Sequence, residues 1–418
     1  MKTSRRISAT LVLLVVLLIA AFMAWQQYSA TVPSIKVGIL HSLSGAMAVS
    51  EKPLVDALQL AIEEANAAGG IGGQKIEAVV VDCRSDPMYC AQQAERLITE
   101  EKVKALFGCW TSVCRKAVKP VVEKHQHLLF YPVQYEGMEQ SPNIIYTGAV
   151  PNQLVMPAVY WALDNLGKHG KRNERIYLAG SDYIFSRITH ILIKDLLAAQ
   201  GAVVVGEHYL PLELATMDDL ITDIIKQQPD MILNTVDGDS INAFFRELNK
   251  AGITPDKIPV LSFSITEVEL AVKDAPPMAG HYAARNYFQS IQSLQNQAFV
   301  QRFRSRFGQQ AVLDGPMEAS YIGLQLWVQA AHEASSAEPA QVQRTILRQS
   351  LLAPEGVVSL DLATHHSWKV ARIGKARADG QFDIVWDSGR PLEPAPFPAY
   401  RSREEWSQLI QTVEGIKP

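Results

Sequence analysis

Short β-branched segments and amphipathic helical segments alternate along this chain, and the alternation occurs twice. The first round predicts strands at Ile35–Leu40, Lys75–Val81, Val103–Gly108, Leu128–Val133 and Asn143–Thr147, with helices over 54–65, 91–101 and 112–125. Ser112 is a candidate N-cap of the last of these helices. The second round predicts helices over 155–166, 187–199, 220–228 and 240–251 and strands over 175–179, 203–209, 231–236 and 258–263. This spacing predicts parallel sheets covered by helices, and therefore two doubly wound α/β lobes.

The last third of the chain has too few segments for a third core. It predicts an extended segment at 282–288, helices over 299–307, 317–334 and 339–351, and a hairpin of 368–373 with 382–386. We expect these segments to complete the two lobes. Lobe 1 would comprise 35–149 with about 280–345, lobe 2 would comprise 150–279 with about 346–395, and 396–418 would form a C-terminal tail. Several crossings between lobes make a multi-strand hinge, and a ligand then binds in the cleft.

The N-terminus has the pattern of an export segment. Lys2, Arg5 and Arg6 precede an uncharged run from Thr10 to Trp25. Counted from residue 7, the run approaches the roughly 20 residues that span a bilayer. We therefore expect 1–34 to be either a cleaved signal peptide or an inner-membrane anchor at 7–25. Both alternatives place residue 35 onward in the periplasm.

Composition and motifs exclude several classes of function. A net charge of -4 and a pI of about 6.2 argue against nucleic-acid binding, which needs a concentrated basic face. The sequence contains no phosphate-binding loop, no dinucleotide fingerprint, no nucleophile elbow and no His pair at metal-binding spacing. We predict no enzyme, no metal and no cofactor.

The four cysteines leave two alternatives open. Cys83 and Cys90 flank a short turn, and Cys109 and Cys114 flank a predicted strand–helix junction. Each pair could form a disulfide in an exported protein. Free buried thiols are the other interpretation.

Aromatic and polar side chains follow the predicted strands, where ligands collect in open α/β sheets. In the first lobe these segments are 108–112 and 131–137, and in the second lobe they are 181–183 and 237–240. Their aromatic rings, hydroxyls and few carboxylates suit a small, polar, uncharged molecule.

At these residues the chain resembles the urea-binding proteins of urea ABC transporters and their relatives that bind short-chain amides. The matching stretches lie between about residues 35 and 395. The most specific are Phe107-Gly-Cys-Trp-Thr-Ser112, Phe130-Tyr-Pro-Val-Gln-Tyr-Glu-Gly137, Gly180-Ser-Asp-Tyr183 and Gly238-Asp-Ser240. The resemblance implies the type I periplasmic-binding-protein fold. It also implies capture of urea or a short-chain amide by lobe closure and delivery to an ABC permease.

The resemblance also implies a set of ligand-binding residues. The pocket hydroxyl falls on Ser112, and the pocket aromatics fall on Trp110, Tyr131 and Tyr183. Gln134 and Asp237 occupy neighbouring positions that vary within the family.

Two departures from the family pattern add charge beside the cleft. Asp237 stands where the urea group usually has Asn, and Arg285 stands where it usually has a bulky residue. A cationic urea analogue such as guanidinium would favour Asp237. The alternative function is a membrane-tethered sensor of amide, urea or a guanidinium-like ligand that signals to a partner protein.

Overall fold

The structure is a computed structural model that describes residues 13–23, 33–169, 173–212, 216–238, 240–271 and 278–414. In the first half its elements are α1 (13–23), β1 (Ile35–His41), α2 (Ala48–Ala67), β2 (Ile76–Asp82), α3 (Pro87–Thr99), β3 (Leu106–Gly108), α4 (Ser112–Lys124), β4 (Leu129–Tyr131), β5 (Ile144–Tyr146), α5 (Val155–Asn165), β6 (Arg175–Ser181), α6 (Ile184–Gln200) and β7 (Val203–Leu210). The remaining elements are α7 (Asp218–Gln227), β8 (Met231–Thr235), α8 (Ser240–Lys250), β9 (Val260–Ser262), α9 (Glu267–Leu270), β10 (Tyr282–Arg285), α10 (Leu294–Phe307), α11 (Gly315–Ala334), α12 (Pro339–Thr345), β11 (Ser350–Ala353), β12 (Gly356–Ser359), β13 (Arg372–Ala376), β14 (Phe382–Asp387) and α13 (Arg403–Glu414).

The first lobe is built on a five-stranded parallel sheet in the order β2-β1-β3-β4-β5. Its short central strands are apolar and fully buried, as in Leu129–Tyr131. Such strands are typical of a sheet with helices on both faces.

The second lobe is built on a seven-stranded sheet in the order β14-β13-β10-β9-β8-β6-β7. The neighbours from β7 to β10 are parallel, and β13 and β14 join as an antiparallel edge. One core packs on each face of this sheet, around Leu178 and Leu192 on one side and around Phe244 and Phe245 on the other. The predicted two doubly wound lobes are confirmed.

The last third of the chain does return to both lobes, but it crosses at other points than the sequence predicted. β10, which we placed in lobe 1, pairs with β9 in the second sheet. β11 and β12, which we placed in lobe 2, contribute Ala353 and Val358 to the first core. α13 lies in the predicted tail, yet its Trp406 is buried in the second lobe against α6. Short strands carry little information about their partners, since the same apolar residues fit either sheet.

Among the described residues, three segments cross between the lobes, and side-chain amides hold them together. The amide Nδ2 of Asn286 donates to the main-chain oxygens of Gln153 at 3.0 Å and Val370 at 2.9 Å. The amide Nε2 of Gln153 donates to the oxygens of Ser367 and Leu392, both at 2.9 Å. These bonds connect the three crossing segments into one hinge.

The predicted export segment lies largely outside the described residues, since 1–12 and 24–32 are not described. Residues 13–23 form helix α1 with exposed apolar side chains. Within the described ranges, none of the helices combines the length and hydropathy required to cross a bilayer.

Candidate functional site

The first lobe presents the start of α4 to the cleft. Thr111 caps this helix, because its side chain accepts from the N–H of Cys114 at 3.2 Å. Ser112, which the sequence suggested as the cap, is instead the first helical residue. Its hydroxyl therefore donates to the carboxylate of Glu136 and accepts from Nη1 of Arg115 at 3.2 Å. The sequence suggestion was wrong by one residue, and the shift leaves the Ser112 hydroxyl available for polar contacts.

Tyr131 connects the end of β4 with the segment that follows β3. It is the last residue of β4, is fully buried, and donates its hydroxyl to the main-chain oxygen of Trp110 at 2.7 Å. Trp110 lies two residues after Gly108. A Cβ added at Gly108 would lie 2.1 Å from the carbonyl oxygen of Leu40. Only glycine fits there, so the chain can pass close to β1 before α4 begins.

A buried ion network supports this wall of the cleft. Arg115 pairs with Glu136 at 3.1 Å and with Glu139 at 2.8 Å, and all three side chains are almost completely buried. The guanidinium also lies over the rings of Tyr131 and Tyr135, at 4.8 and 4.2 Å from their centroids. Burial acts to raise the pKa of Glu139, but the charges of Arg115 and two nearby lysines outweigh it and lower that pKa to about 2. Glu139 is therefore an anion, and the network fixes the segment that follows β4.

The second lobe presents Tyr183 and Asp237, which follow β6 and β8. The Tyr183 hydroxyl donates to Oδ2 of Asp237 at 2.7 Å, and the Asp237 N–H donates to Oγ of Ser181 at 2.9 Å. Burial raises the pKa of Asp237 to about 6, although the Tyr183 hydrogen bond and the charge of Arg285 oppose this shift. Burial and Asp237 raise the pKa of Tyr183, and the nearby Tyr131 and Glu136 of the first lobe raise it further. Thr111 and Val113 of the first lobe and Tyr183 of the second line one cavity, so the two walls face each other.

Arg285 is the cation of the second wall, and its environment is acidic. It is buried and donates from Nη1 to the oxygen of Phe263 at 2.8 Å and from Nε to the oxygen of Ile265 at 3.1 Å. Its Nη2 has no partner among the described residues. Burial lowers the pKa of Arg285, and the carboxyl groups of Glu269, Asp314, Asp237 and Glu267 oppose that shift. Burial also raises the pKa of Glu267 to about 8, so this carboxyl is mostly neutral at pH 7.

A cavity of about 390 Å³ lies between the lobes next to these walls. The first lobe lines it with the loops after β1 and β2 and with the start of α4. The second lobe lines it with Asp182 and Tyr183, just before α6, and with the end of β7 and the segment after it.

Of the six predicted site residues, Tyr183 lines this cavity, and Asp237 is hydrogen-bonded to Tyr183. Trp110, Ser112 and Tyr131 lie in the first lobe near the start of α4, outside the cavity lining. Gln134 is placed differently, because its Nε2 donates across the cleft to the main-chain oxygen of Phe263 at 3.3 Å.

Sequence reasoning missed the roles of Arg115 and Glu136. A glutamate inside the aromatic segment 131–137 needs a buried counter-charge, and this was a usable signal. Arg115 is one helical turn after Ser112, so its side chain was within reach of the same wall.

All four cysteines are paired, as Cys83–Cys90 and Cys109–Cys114. The disulfide alternative is therefore the one that the structure adopts. Cys90 and Cys114 lie with their sulfurs 3.5 Å apart, so the two disulfides are neighbours beside the cavity.

Comparison with known proteins identifies the family. Residues 35–403 match the Periplasmic binding protein domain family. The chain belongs to this family. Its members are substrate-binding proteins of ABC transporters and not enzymes, so the chain is an extracytoplasmic ABC-type solute-binding protein of the Leu/Ile/Val-binding group.

Individual relatives agree with this family and with the type I fold. The chain is 24% identical over 399 residues to Leu/Ile/Val-binding protein homolog 8 of Brucella abortus, covering 88% of this chain and 92% of that protein. Its structure resembles a solute-binding protein of an R. palustris ABC transporter in complex with 4-hydroxybenzoate, with a TM-score of 0.75 and 21% identity. That match covers 85% of this chain and 97% of the other.

One further relative matches only a short part of the chain. Over 118 residues the chain is 35% identical to limonene hydroxylase of Geobacillus stearothermophilus. The match covers 28% of this chain and only 22% of that protein, so it carries no argument about the hydroxylase reaction.

Proposed function

We propose that this periplasmic binding protein captures urea or a short-chain amide between its lobes and delivers it to an ABC permease. The observation that carries the proposal is the partly buried Tyr183–Asp237 pair near Ser112, Tyr131 and Glu136 of the first lobe. Urea offers one carbonyl acceptor and four N–H donors on a flat frame. The free N–H groups in the first turn of α4 would donate to the carbonyl. The Ser112 hydroxyl, whose proton goes to Glu136, would accept from an amide N–H. The Asp237 carboxylate and the tyrosine hydroxyls would accept from the amide.

The charged groups beside the cleft favour a neutral amide over the acidic ligands that appear in the names of the relatives, 4-hydroxybenzoate and branched amino acids. Both 4-hydroxybenzoate and a branched amino acid carry a carboxylate. The cation beside the cleft, Arg285, already donates to two carbonyl oxygens and lies among four acidic residues. Arg115 is likewise paired with two carboxylates. Asp237, whose pKa of about 6 leaves it mostly ionised at neutral pH, would repel a ligand carboxylate, whereas it would accept a hydrogen bond from a neutral amide.

Size sets the expected affinity for urea. The best small ligands gain about 1.5 kcal/mol per heavy atom, so four heavy atoms give roughly -6 kcal/mol, or a Kd of tens of micromolar.

A thermal-shift and calorimetry panel tests the proposal. The ligands are urea, acetamide, formamide, guanidinium, leucine and 4-hydroxybenzoate, and the true class raises the melting temperature by binding the native state. Ser112→Ala and Tyr183→Phe should each weaken amide binding about tenfold, because each leaves a buried polar partner unpaired. Ser305→Ala and Tyr160→Phe are the matched controls away from the cleft. Binding of leucine or 4-hydroxybenzoate without any amide would refute the proposal.

We also propose that residues 7–25 direct export and remain as a tether to the inner membrane. The exposed apolar side chains of helix 13–23 support this role. Mass spectrometry of the exported protein should show Met1 retained, and a mature N-terminus near residue 31 would show cleavage instead.

A further inference from the structure

The cavity between the lobes is larger than urea requires. An apolar cavity of about 150 Å³ is enough to hold a benzene ring, and this one measures about 390 Å³. It is in the size range of pockets that bury whole organic ligands. A ligand of four heavy atoms would leave most of it to water.

The carboxylates and hydroxyls on the cavity wall are already bonded within the protein. The carboxylate of Glu51 accepts from the N–H of Ser42 at 2.8 Å and lies 3.0 Å from Nδ1 of His41. Asp86 and Thr111 cap α3 and α4. These groups need no polar ligand to satisfy them.

Asp182 and Tyr209, on the second-lobe side, are occupied as well. Asp182 accepts from Nε of Arg187 at 2.6 Å. The Tyr209 hydroxyl donates to Glu207 at 2.8 Å. What this wall offers to a ligand is therefore mainly the ring of Tyr209 and its neighbours Pro211 and Leu212.

Apolar groups come from the first lobe too. Met47 and Val113 line the cavity there, together with the two disulfides. No Lys, Arg or His is among the described lining residues, which include three carboxylates, so the cavity opposes a negatively charged substituent.

Tyr183 connects this cavity with the polar walls. Its ring lines the cavity while its hydroxyl donates to Asp237. Resting on the proposed amide function, we propose that the cavity is a subsite for an apolar substituent, so that the preferred ligand is a neutral amide carrying an alkyl or aryl group. The amide group lies at Tyr183 and Asp237, and the substituent fills the space against Val113 and Leu212.

Calorimetry with acetamide, benzamide and benzoate on the full chain tests this assignment. Benzamide should bind at least about tenfold more tightly than acetamide, because its ring removes more apolar surface from water. Benzoate, of nearly the same shape, should bind at least about tenfold more weakly than benzamide. Equal affinity for acetamide and benzamide would overturn the subsite and leave the amide function standing. Absence of binding by both amides, or binding of benzoate alone, would overturn the amide function itself.

A filled cavity gives the second test. Val113 is 42% exposed, so Val113→Trp can fold while its indole occupies the subsite. This variant should lose the advantage of benzamide and keep its affinity for acetamide. Val49→Trp is the matched control, because Val49 is 50% exposed and does not line the cavity. If Val113→Trp melts below the parent, Ala46→Leu narrows the same space from the loop after β1. Unchanged benzamide affinity in a folded cavity-filling variant would overturn the assignment.

Discussion

At the scale of single residues, the carboxyl group of Asp237 lowers the stability of the fold when it ionises, and it also lies at the candidate site. Its carboxyl is buried between Tyr183 and Arg285, and burial raises its pKa from 3.8 to about 6. The folded chain therefore keeps this proton between about pH 4 and 6, where the unfolded chain has lost it. Stability from this group is complete below pH 4 and is lost as pH rises through 6, by about 3 kcal/mol.

Asp237→Asn should remove that pH dependence. The variant carries no titrating group at this position, so its melting temperature should change less than that of the parent between pH 4 and 6. Asp314 and Glu267, whose pKa values burial raises to about 7 and about 8, should still lower stability from about pH 4 upward in both proteins, so the variant's profile becomes flatter and not flat. Asp256→Asn at an exposed turn is the control. Identical pH profiles for parent and Asp237→Asn would show that the carboxyl does not titrate in this window.

Loss of Arg115 should destabilise the fold strongly. Arg115→Met would leave Glu136 and Glu139 buried without their counter-charge, and we expect a loss of about 3–5 kcal/mol. Arg377→Met removes an arginine that is paired with Asp379 and Asp383 at the surface, and it should cost at most about 1 kcal/mol. Scanning calorimetry of the two variants measures the difference. A similar cost for both would mean that water reaches the Arg115 network.

At the scale of elements, periodicity located most helices and strands, but not the details of their ends. The alternation of apolar residues predicted β1 to within one residue and the start of α4 at Ser112. It suggested Ser112 as the cap of α4 where the structure has Thr111, because either side chain can cap a helix and periodicity does not distinguish them. It missed β11 and β12, since four-residue strands give too few residues for a period.

The two disulfides tie together the elements that line the cavity. Each closes a short loop, with sequence separations of 7 and 5, so chain entropy predicts about 2–3 kcal/mol from each. Cys83→Ser with Cys90→Ser should therefore lower the melting temperature. A dithiol reductant should lower that of the parent and leave a variant without any cysteine unchanged. If alkylation proves all four thiols reduced while the parent's melting temperature is unchanged, the disulfides add no stability.

At the scale of the whole molecule, what the sequence could not predict is which lobe each returning segment joins. Asn286 is an example: its amide bonds to two other crossing segments, and those partners are 133 and 84 residues away. Local pattern contains no information about such contacts. The positions of the candidate site residues at the strand ends were more predictable than the crossings, because the carboxyl ends of parallel strands meet at one edge of each sheet. Whether these residues bind a ligand stays a prediction.

Gln134 provides a test of closure that does not depend on ligand contact. Its Nε2 donates to the Phe263 oxygen across the cleft, so this bond belongs to the closed form. Gln134→Ala should remove about 1 kcal/mol from the closed form and weaken every ligand by the same factor of about five. Ser112→Ala should instead change the ranking of ligands. Small-angle scattering should find Gln134→Ala more open than the parent at equal ligand concentration, with Gln310→Ala as the exposed control. If Gln134→Ala weakens amides and spares other ligands, the side chain touches the ligand, as the sequence predicted, and closure depends on other contacts.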